Sequence, residues 1–277
     1  MDLNLILVCV VIVVALFFSY TNGFHDAANA IATSVSTRAW TPRAALLMAA
    51  TMNVIGAMMG TAVAKTVGKG IISISDYAES PLPEMQQKGL VIILAALLGA
   101  CIWNLITWWF GLPSSSSHAL IGGMVGAGLL SGTMVHWWGI MSHVVIPMFA
   151  SPIIGFVIGY FVMKLVLWLL RNAQYHRTMR RFRAAQRFSS AAMALGHGIQ
   201  DAQKTMGIIV MALLAGGYGE THNILDPITG EMNVPLWVKI SGALAISLGT
   251  MAGGGRIMRT IGRKIIDLDP ARGFTAE

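Results

Sequence analysis

Apolar stretches of membrane-spanning length recur along the whole chain, at about 3–22, 44–64, 89–110, 138–170, 190–216 and 236–254. A helix crosses a hydrocarbon core with roughly 20 mostly apolar residues. Within lipid each backbone N–H and C=O must find its partner inside the segment, so a chain of such stretches folds as packed helices. Only 11% of the 277 residues are charged and the mean hydropathy is +0.67. A water-soluble domain carries about a quarter charged residues, and a disordered chain lacks this apolar content. The fold class is therefore all-α and polytopic in the membrane. A further stretch at about 115–134 is rich in glycine and serine and follows the break Gly111-Leu112-Pro113. It is either a full crossing or the returning arm of a re-entrant hairpin.

The net charge of +7 reads as a topology signal rather than as a nucleic-acid surface, because the basic residues gather in short loops between apolar runs. Arg171, Arg177, Arg180, Arg181, Arg183 and Arg187 occur without an acid in 171–187, which makes that loop cytoplasmic. Arg256, Arg259, Arg263 and Lys264 mark a second cytoplasmic loop, and Glu220, Asp226 and Glu231 an external one between them. Arg38 and Arg43 place the end of the first helix inside, so the N-terminus lies outside. Only Asp2 precedes the first apolar run, so that run lacks the basic flank of a cleaved leader and reads as a retained span. Cys9 and Cys101 both lie in apolar runs with no partner spacing, which yields neither a disulfide framework nor a metal site.

Two segments repeat one pattern. The first is Asn22-Gly23-Phe24-His25-Asp26-Ala27-Ala28-Asn29-Ala30, the second His197-Gly198-Ile199-Gln200-Asp201-Ala202-Gln203-Lys204-Thr205, and the two aspartates stand 175 positions apart. Asn22, Asp26 and Asn29 in one copy, and His197, Asp201 and Lys204 in the other, recur at spacings of four and three. That spacing sets each trio on one helical face. By the loop charges the two helices run in opposite directions, the mark of an inverted-topology repeat with a binding site near mid-membrane. A glycine three residues before each aspartate permits a helix break there. Buried ionisable groups cost several kcal/mol unless paired or hydrated. Asp201 and Lys204 can pair and fix helix packing, whereas Asp26 has no cation in its own copy, so a bound proton or metal cation is expected there.

The segment Gly111-Leu112-Pro113-Ser114-Ser115-Ser116-Ser117-His118 sets four hydroxyls after a proline at a helix mouth. First-turn N–H groups and the positive end of the helix dipole form an anion cradle there. A tetrahedral oxyanion such as phosphate suits it.

These residues together resemble the inorganic phosphate transporter (PiT) family, most closely its bacterial low-affinity permeases. The likeness rests on Gly23 to Ala30, on Gly198 to Lys204 and on the tip Pro113 to His118. It implies a secondary transporter of inverted repeats in the bacterial inner membrane that imports inorganic phosphate, or a neutral metal-phosphate, with a coupling cation. Asp26, Asn29 and Asp201 would hold that cation. Ser114, Ser115, Ser116 and Ser117, with Gln200 and Lys204, would line the phosphate site. No other metal and no cofactor is expected. The partners are phosphate and membrane lipid, with a homodimer allowed.

The chain departs from the family pattern where His25 and Gln200 replace an asparagine before the motif aspartate, and where Lys204 replaces another asparagine. Lys204 as a fixed positive charge favours H+ over Na+ as the coupling ion. The expected organisation is a first repeat over 1–170, a basic loop over 171–188 and a second repeat over 189–277. Ser114 follows Asp26 by 88 positions, which would put a second hydroxyl-rich tip near 289, so the second repeat reads as truncated and the 277-residue form as unable to transport alone. A passive anion channel is a rival reading. An intramembrane hydrolase built from Ser116 or Ser117 with His118 and Asp26 is a weaker one, since neighbours one or two apart on a helix do not face each other. The pairs Gly56/Gly60, Gly122/Gly126, Gly155/Gly159 and Gly249/Gly253 permit close helix approach.

Overall fold

A computed structural model describes residues 2–61, 82–219, 233–253, 255–260 and 268–277, with residues 64, 77, 80, 221, 222 and 224 as single positions. The expected charges at 220, 226, 231, 263 and 264, and the side chains of Arg256 and Arg259, lie outside the described residues.

Helix α1 (Leu3–Ser36) starts where the Asp2 carboxylate accepts from the Asn4 N–H. Helix α2 (Pro42–Met58) is capped by Thr41 and opens on Pro42, a residue whose missing N–H costs nothing in a first turn. Helix α3 (Pro83–Phe110) stops at Gly111, which takes the left-handed conformation (φ 66°) that glycine adopts without strain. Helix α4 (Ser116–Ser131) is capped by Ser115. A short helix α5 (Trp137–Ile140) passes through a π-helical turn, Met141–Val145, into α6 (Ile146–Leu169). Then follow α7 (Tyr175–Ala215), α8 (Leu236–Ala252), α9 (Gly255–Thr260) and α10 (Pro270–Ala276).

Among the described residues α1, α3 and the run Trp137–Leu169 are long and apolar enough to cross a membrane. The stretch expected at 190–216 lies inside the 41-residue α7.

Cross-helix hydrogen bonds give the directions. Asn4 meets Gln86, Asn104 meets Thr21 and His25 meets Thr107, so α3 runs parallel to α1. The turn after α3 reaches the depth of Asp26, to which Ser116 donates, and α4 then folds back on α3. The stretch 89–134 is thus a helical hairpin, α3 and α4, whose turn lies beside Asp26. Its arms touch closely, since a Cβ on Gly123 would stand 2.3 Å from the Ala96 carbonyl oxygen. Thr37 meets Gln186, Asn22 meets Asp201, and Gly216 lies against Val8, so α7 runs antiparallel to α1.

Neither motif helix breaks at its glycine, which corrects the expectation from the sequence. Both α1 and α7 are continuous through Gly23 and Gly198. The absent side chains serve contact instead. A Cβ on Gly23 would lie 2.2 Å from the Ile246 carbonyl oxygen, and one on Gly249 would lie 2.1 Å from that of Tyr20. The same happens between α7 and α2, with 2.5 Å from Gly198 to the Asn53 oxygen and 2.3 Å from Gly56 to the Leu195 oxygen. Each motif helix is therefore seamed, glycine to glycine, onto a helix from the far half of the chain. By contrast α6 has no buried residue, and nothing lies within 4 Å of a Cβ placed on Gly155 or Gly159.

Candidate functional site

Both aspartates of the repeated pattern are buried at the α1–α7 contact, with Asp26 6% and Asp201 8% exposed. Asp26 accepts from the Asn29 amide at 3.1 Å and from the Ser116 hydroxyl at 2.9 Å. Asp201 accepts from the Asn22 amide at 3.2 Å and is paired with the Lys204 ammonium. His197 Nε2 stands 3.2 Å from the same carboxylate. One oxygen or nitrogen each of Asp26, His197 and Asp201 lies within 4.8 Å of the others. A single cation could bridge that set, since two carboxylates and an imidazole offer hard and borderline donors together.

The serine tip divides its work. Ser115 caps α4 by accepting from the His118 N–H, and Ser114 donates to Thr107. Ser116 and Ser117 face the aspartate pair instead, Ser116 through Asp26 and Ser117 through the Lys204 ammonium. Lys204 so joins Asp201 to the hairpin tip. An ammonium has three donors, and two of them are directed here.

A cavity of about 450 Å³ opens beside the pair, lined among others by Asn29, Ser189, His197, Gln200, Asp201 and Glu277. Gln200 therefore reaches the cavity rather than the serine tip. At the rim, Glu277 accepts from Thr33 at 2.7 Å and also from Ser189 and Gln186. Burial at this rim raises the Glu277 carboxyl above the ordinary carboxylate range, against those three hydrogen bonds.

Several polar residues inside apolar stretches complete the setting, and the repeated pattern gave no hint of them. Asn53 on α2 donates to the Thr250 hydroxyl at 2.8 Å. Thr250 has spent its own hydrogen on the Ile246 carbonyl, so the Asn53 oxygen is the atom turned to His197 Nδ1, 3.0 Å away. Thr107 lies within hydrogen-bond reach of the Trp103 carbonyl and stands 2.9 Å from His25 Nε2. The available signal was the presence of polar residues inside apolar runs, which in a membrane span is a functional flag by default.

Comparison with known proteins places the chain in a family. The model of the phosphate transporter family matches residues 22–277. A probable low-affinity inorganic phosphate transporter of Bacillus subtilis is 41% identical over all of this chain and 78% of its own length. A namesake from Streptomyces halstedii is 56% identical over 72% of this chain and 89% of its own length, and one from Mycobacterium leprae is 40% identical over 100% and 63%. The solved sodium-dependent phosphate transporter superposes with a TM-score of 0.81 at 23% identity, over 97% of this chain and 81% of its own. That likeness carries the fold. These relatives are transporters and not enzymes, which removes the hydrolase reading. The chain belongs to the phosphate transporter family.

Proposed function

We propose that the chain acts in secondary active import of inorganic phosphate, alone or as a neutral metal-phosphate, coupled to H+ rather than Na+. Asp26, Asn29 and Asp201 hold the coupling cation. Ser114 to Ser117, Gln200 and Lys204 line the phosphate path, with Ser116 and Ser117 nearest the aspartates. The reading sets the N-terminus outside the bacterial inner membrane and the loop Arg171 to Arg187 in the cytoplasm, where the cavity at Ser189 opens. The seams of Gly23 with Gly249 and of Gly198 with Gly56 support two repeats, 1–170 and 189–277, that exchange helices.

The observation that carries the choice of ion is Lys204, whose side-chain nitrogen stands between Asp201 and Ser117. A covalently attached cation stands where a second bound metal ion would otherwise balance Asp201. Only Asp26 then needs an exchangeable positive charge, and a proton suffices.

Linkage makes this testable at equilibrium, because a coupling ion that tightens phosphate binding must itself be bound more tightly with phosphate present. Radiolabelled phosphate binding to the purified chain is expected to take up a proton, measured by calorimetry in buffers of different ionisation enthalpy. It is expected not to respond to Na+ at fixed pH. Tightening by Na+ without proton uptake would reverse the choice of ion. The measurement is made well below the second ionisation of phosphate, where the anion is already monobasic and takes up no proton of its own, so that a passive anion pathway predicts neither dependence.

A further inference from the structure

The basic segment before the second motif has a place in the fold that its role as a topology signal leaves unused. Between Glu84 and Asp201 the chain contains no Asp or Glu. Arg177, Arg180, Arg181 and Arg183 on α7, and Arg171 just before it, are exposed, and none is ion-paired among the described residues. At 100° per residue the four helical arginines fall within an arc of about 160°. The opposite face is the packed one. Phe182 meets the Phe274 ring, with centroids 5.5 Å apart, and Gln186 bonds Thr37 and Glu277. Over residues 177–183 the basic arc therefore faces away from the contacts of Phe182 and Gln186; one turn further on, Arg187 falls in the same arc and turns to Ala39 and Trp40.

Helix α10 supplies the depth. Its adjacent residues Phe274 and Thr275 touch Phe182 of α7 on one side and Met163 of α6 on the other, with 3.6 Å from the Thr275 hydroxyl to the Met163 sulfur. Phe182 and Met163 thus lie at one level. The turns of α6 just beyond Met163 hold Leu165, Leu167, Trp168 and Leu169, all exposed. An apolar helix end carrying a tryptophan is the part of a span that meets the membrane interface. The arginines within a turn and a half of Phe182 share that level, so they stand among headgroups.

We propose that this face of α7 is a docking surface for anionic phospholipid, on the orientation above that of the cytoplasmic leaflet. The chemistry is that of a guanidinium facing a phosphodiester, a planar fork of donors that matches two phosphate oxygens. Juxtamembrane arginine clusters without acids are attracted to anionic headgroups over about a Debye length. Arg187 is not part of the surface. It already donates to the Ala39 carbonyl at 2.9 Å and lies over the Trp40 ring.

The test reconstitutes the full chain in bilayers of mixed phosphatidylglycerol and phosphatidylcholine, and counts co-purifying lipids by native mass spectrometry. The wild-type chain should retain phosphatidylglycerol preferentially, less so as salt is raised. Replacing Arg177, Arg180, Arg181 and Arg183 by Gln should reduce that preference about tenfold or more, while the four Arg→Lys replacements should keep most of it. Equal retention of the two lipids by the wild-type chain would overturn the proposal, as would unchanged preference in the Gln variant. So would a loss of binding confined to soluble polyphosphate. Should the fourfold Gln variant fail to fold, the pair Arg180→Gln and Arg183→Gln and the salt dependence of the wild type give the same decision.

Discussion

The two copies of the repeated pattern hold their aspartates in opposite ways. Asp201 is compensated from within the chain, by the Lys204 ammonium and the Asn22 amide, with His197 at 3.2 Å. Among the described residues the donors hydrogen-bonded to Asp26 are the neutral Asn29 and Ser116, and the nearest nitrogen of His25 is 3.6 Å from it. One half of the site is thus closed electrostatically and the other half is left with a charge to balance. The difference teaches that related segments can divide a task, one providing fixed structure and the other the exchangeable position.

The sharpest way to break this contrast is neutralisation of each aspartate. Asp201→Asn strands the Lys204 ammonium, and removing one partner of a buried pair costs about 3 kcal/mol. Thermal unfolding in detergent should show a large fall in midpoint, recovered in the double variant Asp201→Asn with Lys204→Asn. Asp26→Asn should do the reverse, leaving the midpoint unchanged or raised because an unbalanced charge has gone. Proton uptake on phosphate binding should nevertheless disappear. Equal destabilisation by the two substitutions would erase the proposed division.

Lys204→Asn alone sharpens it next. It removes the cation paired with Asp201, which then also needs an exchangeable one. Phosphate binding is expected to weaken about tenfold without Na+, the loss of one charge-assisted contact, and to recover when Na+ is added. Unchanged binding with unchanged ion dependence would leave Lys204 as a packing residue. The smallest effect belongs to Ser116→Ala, which removes one neutral donor from Asp26. A loss of about 1 kcal/mol in phosphate binding, with stability held, is expected by calorimetry. Ser115→Ala should instead lower stability through its cap and spare binding.

Much of the site was legible because burying an acid in an apolar stretch is expensive, so Asp26 and Asp201 announce themselves against their surroundings. The hairpin was legible from the break at Gly111 to Pro113, and the structure adds that α3 runs parallel to α1 and carries the serine tip to Asp26. What sequence spacing could not convey is which small residues are used and how. Gly23 and Gly198 looked like hinges but are points where backbones touch. Of the four spaced glycine pairs, Gly56 and Gly249 lie in seams, while Gly122, Gly126, Gly155 and Gly159 meet nothing within 4 Å. A missing side chain has the same signature in a sequence whether it admits a neighbour or faces lipid. Asn53, Thr107 and Thr250 were missed for a related reason, since single polar residues in apolar runs carry no spacing and acquire meaning only through partners on other helices.

The cavity beside Asn29 and Gln200 has its counterpart in a wall. Toward the start of α1, Val11, Ala15 and Phe18 are wholly buried, and so are Met206 and Ile209 on α7. In this arrangement the aspartates lie beside an opening near Ser189, with packed apolar side chains between them and the Leu3 end. A thiol reagent is expected to label a cysteine placed at Gln200 faster from the Ser189 side than from the Leu3 side, and equal labelling from both would break that asymmetry.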